Sequence, residues 1–208
     1  QHFKVSVRIN VDTENFPHAE QVLHILAAEG FAGKLTVDIG QIVRIDDGNS
    51  SPSASYTPRC FVKREFAEAE ARFAAAAARH GFGNPKLPQA VGAPCTAVRA
   101  NELVIGSEGE LYKCWDSVGN RNEVIGNVRD WRDTNGRLHK WLTYDPFSDP
   151  DCRNCVALPV CMGGCAHHAM DPLLRDNRCD TFRHVHRERV LAFVKAAESK
   201  KMLTRLPD

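Results

Sequence analysis

Seven of the eight cysteines in this 208-residue chain fall into one spacing. Cys95 is followed after thirteen residues by Gly109, and Cys114 comes after four more. A dense run follows, Cys152-x2-Cys155-x5-Cys161-x3-Cys165, and Cys179 stands apart after a gap. Thiolates at such intervals collect soft metal, and seven of them exceed what one four-ligand site can use. The spacing points to two iron–sulfur clusters. A cubane cluster needs one thiolate per iron, and a short loop reaches two or three corners before the chain must turn away. Cys152, Cys155 and Cys161 suit that geometry, with Pro159 easing the longer step and Gly163-Gly164 letting backbone fold close to sulfur. The last cysteine of a compact run commonly ligates a neighbouring cluster, which sends Cys165 to the other site.

The elements that must position these residues change style along the chain. In the first half, Phe3, Val5, Val7, Ile9 and Val11 alternate on one face of a strand. Asn15 and Pro17 open a helix whose apolar stripe is Ala19, Leu23 and Leu26, and Gly30 stops it. Leu35, Val37 and Ile39 alternate again, followed by Ile42, Val43 and Ile45, so the order is β-α-β with parallel strands expected. A Gly/Ser/Pro/Asp loop over 46–58 precedes a long Ala-rich helix over 64–80, with Phe66, Ala69, Phe73 and Ala76 on one face. Pro85, Pro88 and Pro94 form a stiff connector, and the domain boundary is placed between 84 and 85.

In the second half, Leu103-Val104-Ile105 and Leu111-Tyr112 form a hairpin around Gly109, which supplies a positive φ. Residues 124–128 add an edge strand, and a short helix over 138–144 leads into the cysteine run. The last helix starts at Asp180-Thr181 and runs to about Lys200, with Phe182, Val185 and Phe193 expected inward.

Bulk properties exclude several classes. A net charge of +1 gives no electrostatic case for nucleic acid or an anionic membrane. No apolar run approaches the about eighteen residues of a membrane span. With neither a signal peptide nor an initiator Met at Gln1, metal is favoured over disulfides, a cytoplasmic location is expected, and the chain reads as part of something longer. Zinc is the main rival, since four-cysteine knuckles also use C-x2-C steps. Two zinc sites would need eight ligands, and the distal Cys179 suits paired ribbons poorly.

The pattern of the seven cysteines with Gly109 resembles the SPASM domain, the auxiliary-cluster domain of many radical S-adenosylmethionine enzymes, over residues 90–190. The resemblance implies that Cys152, Cys155, Cys161 and Cys179 hold the second auxiliary [4Fe-4S] cluster. Cys95, Cys114 and Cys165 hold the first, which is one ligand short. Cys60 is the spare thiol, read either as the fourth ligand, the alternative being an iron left open to water or substrate, or as an inert small residue before a helix. His167 and His168 are expected to make hydrogen bonds around the cluster or face solvent. Trp115, directly after Cys114, is expected to shield the cluster from water.

The radical-initiating C-x3-C-x2-C triplet is absent from the sequence. Residues 1–84 nevertheless resemble the last part of the partial (β/α)6 barrel of such enzymes, with Asn10 or Asp12 at a strand end either touching S-adenosylmethionine or capping the next turn. The expected fold is therefore α/β then α+β: the end of a barrel over 1–84, then a small cluster domain with a hairpin and a C-terminal helix over 85–208. The implied function is electron transfer and substrate positioning in a maturase of ribosomal peptides or sulfatases. S-adenosylmethionine and a third [4Fe-4S] cluster are expected only in a full-length enzyme. The expected partners are a peptide or protein substrate and a ferredoxin- or flavodoxin-type electron donor, with no nucleic acid or membrane. The alternative is a stand-alone two-cluster electron carrier or cluster-binding partner module, decided by whether an upstream reading frame supplies the missing triplet.

Overall fold

The computed structural model describes residues 3–43, 59–83, 86–131 and 134–203. The loop expected over 46–58 lies outside the described residues, as do Ile45 and Pro85. The contacts form two compact units among the described residues, one of 3–43, 59–88 and 181–203, the other of 89–180.

The first unit is built on two parallel strands, β1 (Val5–Val11) and β2 (Leu35–Gln41), paired from Val5↔Leu35 to Val11↔Gln41. Between them runs α1 (Ala19–Ala28), entered through a 3-10 turn over Phe16–His18 that carries Pro17 and left at Gly30 with φ 75°. The crossover through a helix is what makes the strands parallel. Helix α2 (Lys63–Arg79) begins where the Val62 N–H donates to Glu65 Oε2 at 3.2 Å. Its stripe of Phe66, Ala69, Phe73 and Ala76 is buried with Val11, Leu23, Val37 and Ile39 in one core. The alternating face of β1 is covered unevenly: Val11 is fully buried, whereas Val5 remains 52 % exposed. Among the described residues, β2 is the only strand that pairs with β1.

Asp12, at the end of β1, is fully buried, and its carboxylate accepts the backbone N–H groups of Glu14, Asn15 and Arg59 at 3.0, 2.9 and 3.3 Å. It caps the turn into α1 and ties that turn to the residue ahead of α2.

The C-terminal helix departs from the sequence reading in two ways. Helix α7 (Phe182–Leu203) belongs to the first unit, although the boundary at 84/85 assigned it to the second. Glu70 of α2 accountably holds it there, accepting from the Thr181 hydroxyl at 2.6 Å and from Arg189 at 2.8 Å. Val185 is buried, but Phe193 is 39 % exposed, together with Val190, Leu191 and Val194. A helical stripe identifies the apolar face without showing whether a neighbour covers it.

The second unit is mostly short helices and turns. Strands β3 (Val104–Ile105), β4 (Glu110–Tyr112) and β5 (Gly126–Asn127) form an antiparallel meander, and Gly109 turns the hairpin with φ 87°. Helices α3 (Arg137–Leu142), α4 (Pro150–Arg153), α5 (Leu158–Cys161) and α6 (Ala166–Met170) follow. Ala97, Trp141 and Ala166 form its buried cluster, with Val98, Cys114, Tyr144 and Met170 packed against them. Asp149 caps α4 by accepting from Asp151 N–H at 2.9 Å, as its position ahead of Pro150 suits. No helix among the described residues is long and apolar enough to cross a membrane.

Candidate metal centres

All seven cysteines of the spaced pattern lie in the second unit, and Cys60 lies in the first. Charge interactions tie several of these thiols together. The Cys114 thiol feels the charges of Cys165 and Cys95, and Cys165 in turn feels Cys95. The Cys161 thiol feels Cys155 and Cys152, and Cys152 feels Cys179. Tyr144 stands beside Cys152, Cys161 and Cys165, its hydroxyl donating to the Gly163 carbonyl at 2.9 Å.

Local backbone explains how the chain brings these sulfurs together. Cys114 and Cys165 each sit immediately before a helical turn, where unpaired N–H groups converge. The Asp116 N–H points at the Cys114 sulfur, and the His167 and His168 N–H groups point at Cys165. The Gly163 N–H does the same for Cys161. Between Cys161 and Cys165 the chain makes three successive left-handed residues, Met162, Gly163 and Gly164, with φ of 46°, 91° and 74°. A Cβ at Gly163 would meet the Tyr144 hydroxyl at 2.5 Å, and one at Gly164 would overlap the Arg178 carbonyl. Both glycines are thus set by packing as well as by the turn. The Cys165 N–H donates to that same Arg178 carbonyl at 2.7 Å, so the segment ending in Cys179 is laced to the loop carrying Cys165.

Electrostatics place four of these thiols at a disadvantage as anions. Burial pushes the Cys114 thiol up to about 12, with the neighbouring Asp116, Cys165 and Cys95 adding to the effect. Burial likewise raises Cys152, Cys161 and Cys165. A coordinated cation inverts this logic, because a ligating thiol is deprotonated outright. Such a donor set, soft and mostly half-buried with N–H groups aimed at sulfur, fits an iron–sulfur cluster. Among the described residues, no three cysteine sulfurs lie within 4.8 Å of one another.

Several side chains around the thiols were not singled out by the sequence. Arg178 is buried, hydrogen-bonds the Cys152 sulfur, and reaches the Arg175 carbonyl at 3.0 Å and Asp149 at 3.2 Å. Its only sequence signal is adjacency to Cys179. Lys113, also buried, donates its ammonium to the carbonyls of Arg99 and Glu102 and stands near Cys95. Trp115 is 75 % exposed and does not shield the thiols. That place is taken by Trp141, 1 % exposed, in the cluster against which Cys114 packs. Trp115 opens a 3-10 turn on the surface, while α3 carries Trp141 into the core. The histidines do not face solvent: His168 is buried with Nδ1 at 3.3 Å from the Asn177 carbonyl, and His167 stacks on Trp141 at 6.2 Å between ring centres. His167 Nδ1 is buried without a hydrogen-bond partner. Asn10, at the expected barrel end, is exposed and accepts at its carbonyl from Asn15 Nδ2 at 3.3 Å.

The chain matches no protein-family model, and no curated protein matches its sequence. The family resemblance therefore rests on the seven cysteines and Gly109.

Proposed function

We propose that the chain carries two auxiliary [4Fe-4S] clusters of a radical S-adenosylmethionine enzyme that modifies a peptide or protein. Cys95, Cys114 and Cys165 hold the first, and Cys152, Cys155, Cys161 and Cys179 hold the second. What supports the reading is the seven-cysteine spacing, with all seven thiols inside 89–180 and both Cys114 and Cys165 close enough to Cys95 to feel its charge. When bound, such clusters supply a low-potential electron acceptor or relay.

The chain's own residues prepare that role. Backbone N–H groups at Asp116, Gly163, His167 and His168 stabilise charge on sulfur. Trp141 keeps water from Cys114, and Arg178 orients Cys152 while its carbonyl holds the Cys165 loop. S-adenosylmethionine and the third cluster belong to the C-x3-C-x2-C triplet of the full-length enzyme, and a ferredoxin- or flavodoxin-type protein donates the electrons. The edge of β1 away from β2 takes a further barrel strand in this reading.

Anaerobic reconstitution tests it. About eight iron and eight sulfide per chain are expected from two cubanes, and a Cys152→Ala or Cys114→Ala change should remove about four of each. Stoichiometric zinc without visible charge-transfer absorption would sink the proposal.

A further inference from the structure

Three cysteines leave the proposed first cluster one protein ligand short, and the structure holds a candidate beside them. The ring of His167 starts two residues after Cys165, on the first turn of α6. A ring nitrogen of His167, the Cys114 sulfur and an Asp116 carboxylate oxygen all lie within 4.8 Å of one another. The Nδ1 atom is buried and makes no hydrogen bond. Asp116 Oδ2 stands 3.9 Å away, too far for one. A buried polar atom without a partner is costly, and native structures rarely leave one without a reason. The ring is also held: it lies nearly parallel to Trp141, with 14° between the planes, and is flanked by His168.

We infer that His167 is the fourth protein ligand of the first cluster, bound through Nδ1. The inference rests on the two-cluster reading. Of the two non-cysteine donors in the group, the imidazole is the better match to iron already carrying thiolates, whereas a carboxylate suits harder cations. Asp116 is also the more solvent-exposed of the two, with its side chain 31 % accessible against 17 % for His167. Histidine in place of a thiolate removes a negative charge from the ligand set and raises the cluster's potential, as in Rieske centres. The first cluster would then be the more easily reduced of the pair.

The test reconstitutes the full chain with iron and sulfide, labels histidine with nitrogen-15, and reads pulsed electron paramagnetic resonance of the reduced protein. Wild type should show a directly bound histidine nitrogen. His167→Cys should keep about eight iron per chain, lose the nitrogen signal and move the first cluster to lower potential. Cys60→Ala and Asp116→Asn should retain both iron and nitrogen signal. Full iron without histidine nitrogen, a nitrogen signal surviving in His167→Cys, or loss of the first cluster in Cys60→Ala would each overturn the assignment. Failure of the underlying reading looks different, because wild type itself would then take up no clusters. About four iron retained on the Cys152 set shows that each variant is folded.

Discussion

Gly164→Ala places a methyl group where the chain has no room for it. The residue has φ 74°, a conformation that costs an L side chain about 1–2 kcal/mol. The added Cβ would sit 2.8 Å from the Arg178 carbonyl carbon, closer still to its oxygen, and 3.3 Å from Cys179 Cα. These are backbone atoms and cannot rotate away, so the segment leading to Cys179 must move, at about 1–3 kcal/mol for overpacking. The move also weakens the 2.7 Å bond from Cys165 N–H to Arg178, about 1 kcal/mol more. The expected loss is about 4 kcal/mol, nearly three decades in the folding equilibrium. Gly119→Ala is the control: φ is 90° in the same unit, but no atom lies within 4 Å, so only the conformational cost of about 1 kcal/mol applies. Urea unfolding of both variants under reducing conditions, with Trp141 as the buried fluorophore, measures the difference. Reconstituted Gly164→Ala should also retain less iron, since the displaced segment carries Cys179. Equal stabilities for the two variants, with equal iron, would refute the reasoning.

Other outcomes are equally specific. Trp141→Ala should cost about 3–5 kcal/mol and lower iron retention, while Trp115→Ala should stay within about 0.5 kcal/mol of wild type, read by the same unfolding assay. Asp149→Ala removes the α4 cap and the carboxylate facing Arg178 and Arg175, leaving a buried guanidinium short of its counter-charge; about 3 kcal/mol should be lost, with Asp149→Asn recovering the cap's share of about 1 kcal/mol. In the metal-free chain at pH 8, a Cys114 thiol raised to about 12 is ionised in about one molecule in ten thousand. Its alkylation by iodoacetamide should rise about tenfold per pH unit below that value and lag behind the exposed Cys95, which peptide mass mapping reads directly.

Much of the scaffold was legible because short-range rules govern it. The helix over Lys63–Arg79 follows from its alanines and aromatic stripe, and the hairpin glycine from its required φ. The strand-end position of Asp12 suits two roles, and its three backbone N–H partners make it a turn cap. Other features depend on which surfaces meet. The sequence assigned shielding to Trp115 by adjacency to Cys114, but a residue next to a thiol in sequence can point away from it. Helical period alone predicts Phe193 inward, and its side chain is exposed. The C-terminal helix was grouped with the cysteine run it follows, whereas Glu70 binds it to the first unit.

The seven-cysteine spacing, read alone, set which thiols stand at close intervals and the soft-metal chemistry proposed for them. Only the tertiary structure decided what surrounds the sulfurs. Burial of Arg178 against Cys152, the stacking of His167 on Trp141, and the Gly164 backbone pressed to Arg178 join residues from different segments. Such contacts depend on how short helices pack, and local spacing carries no record of that packing.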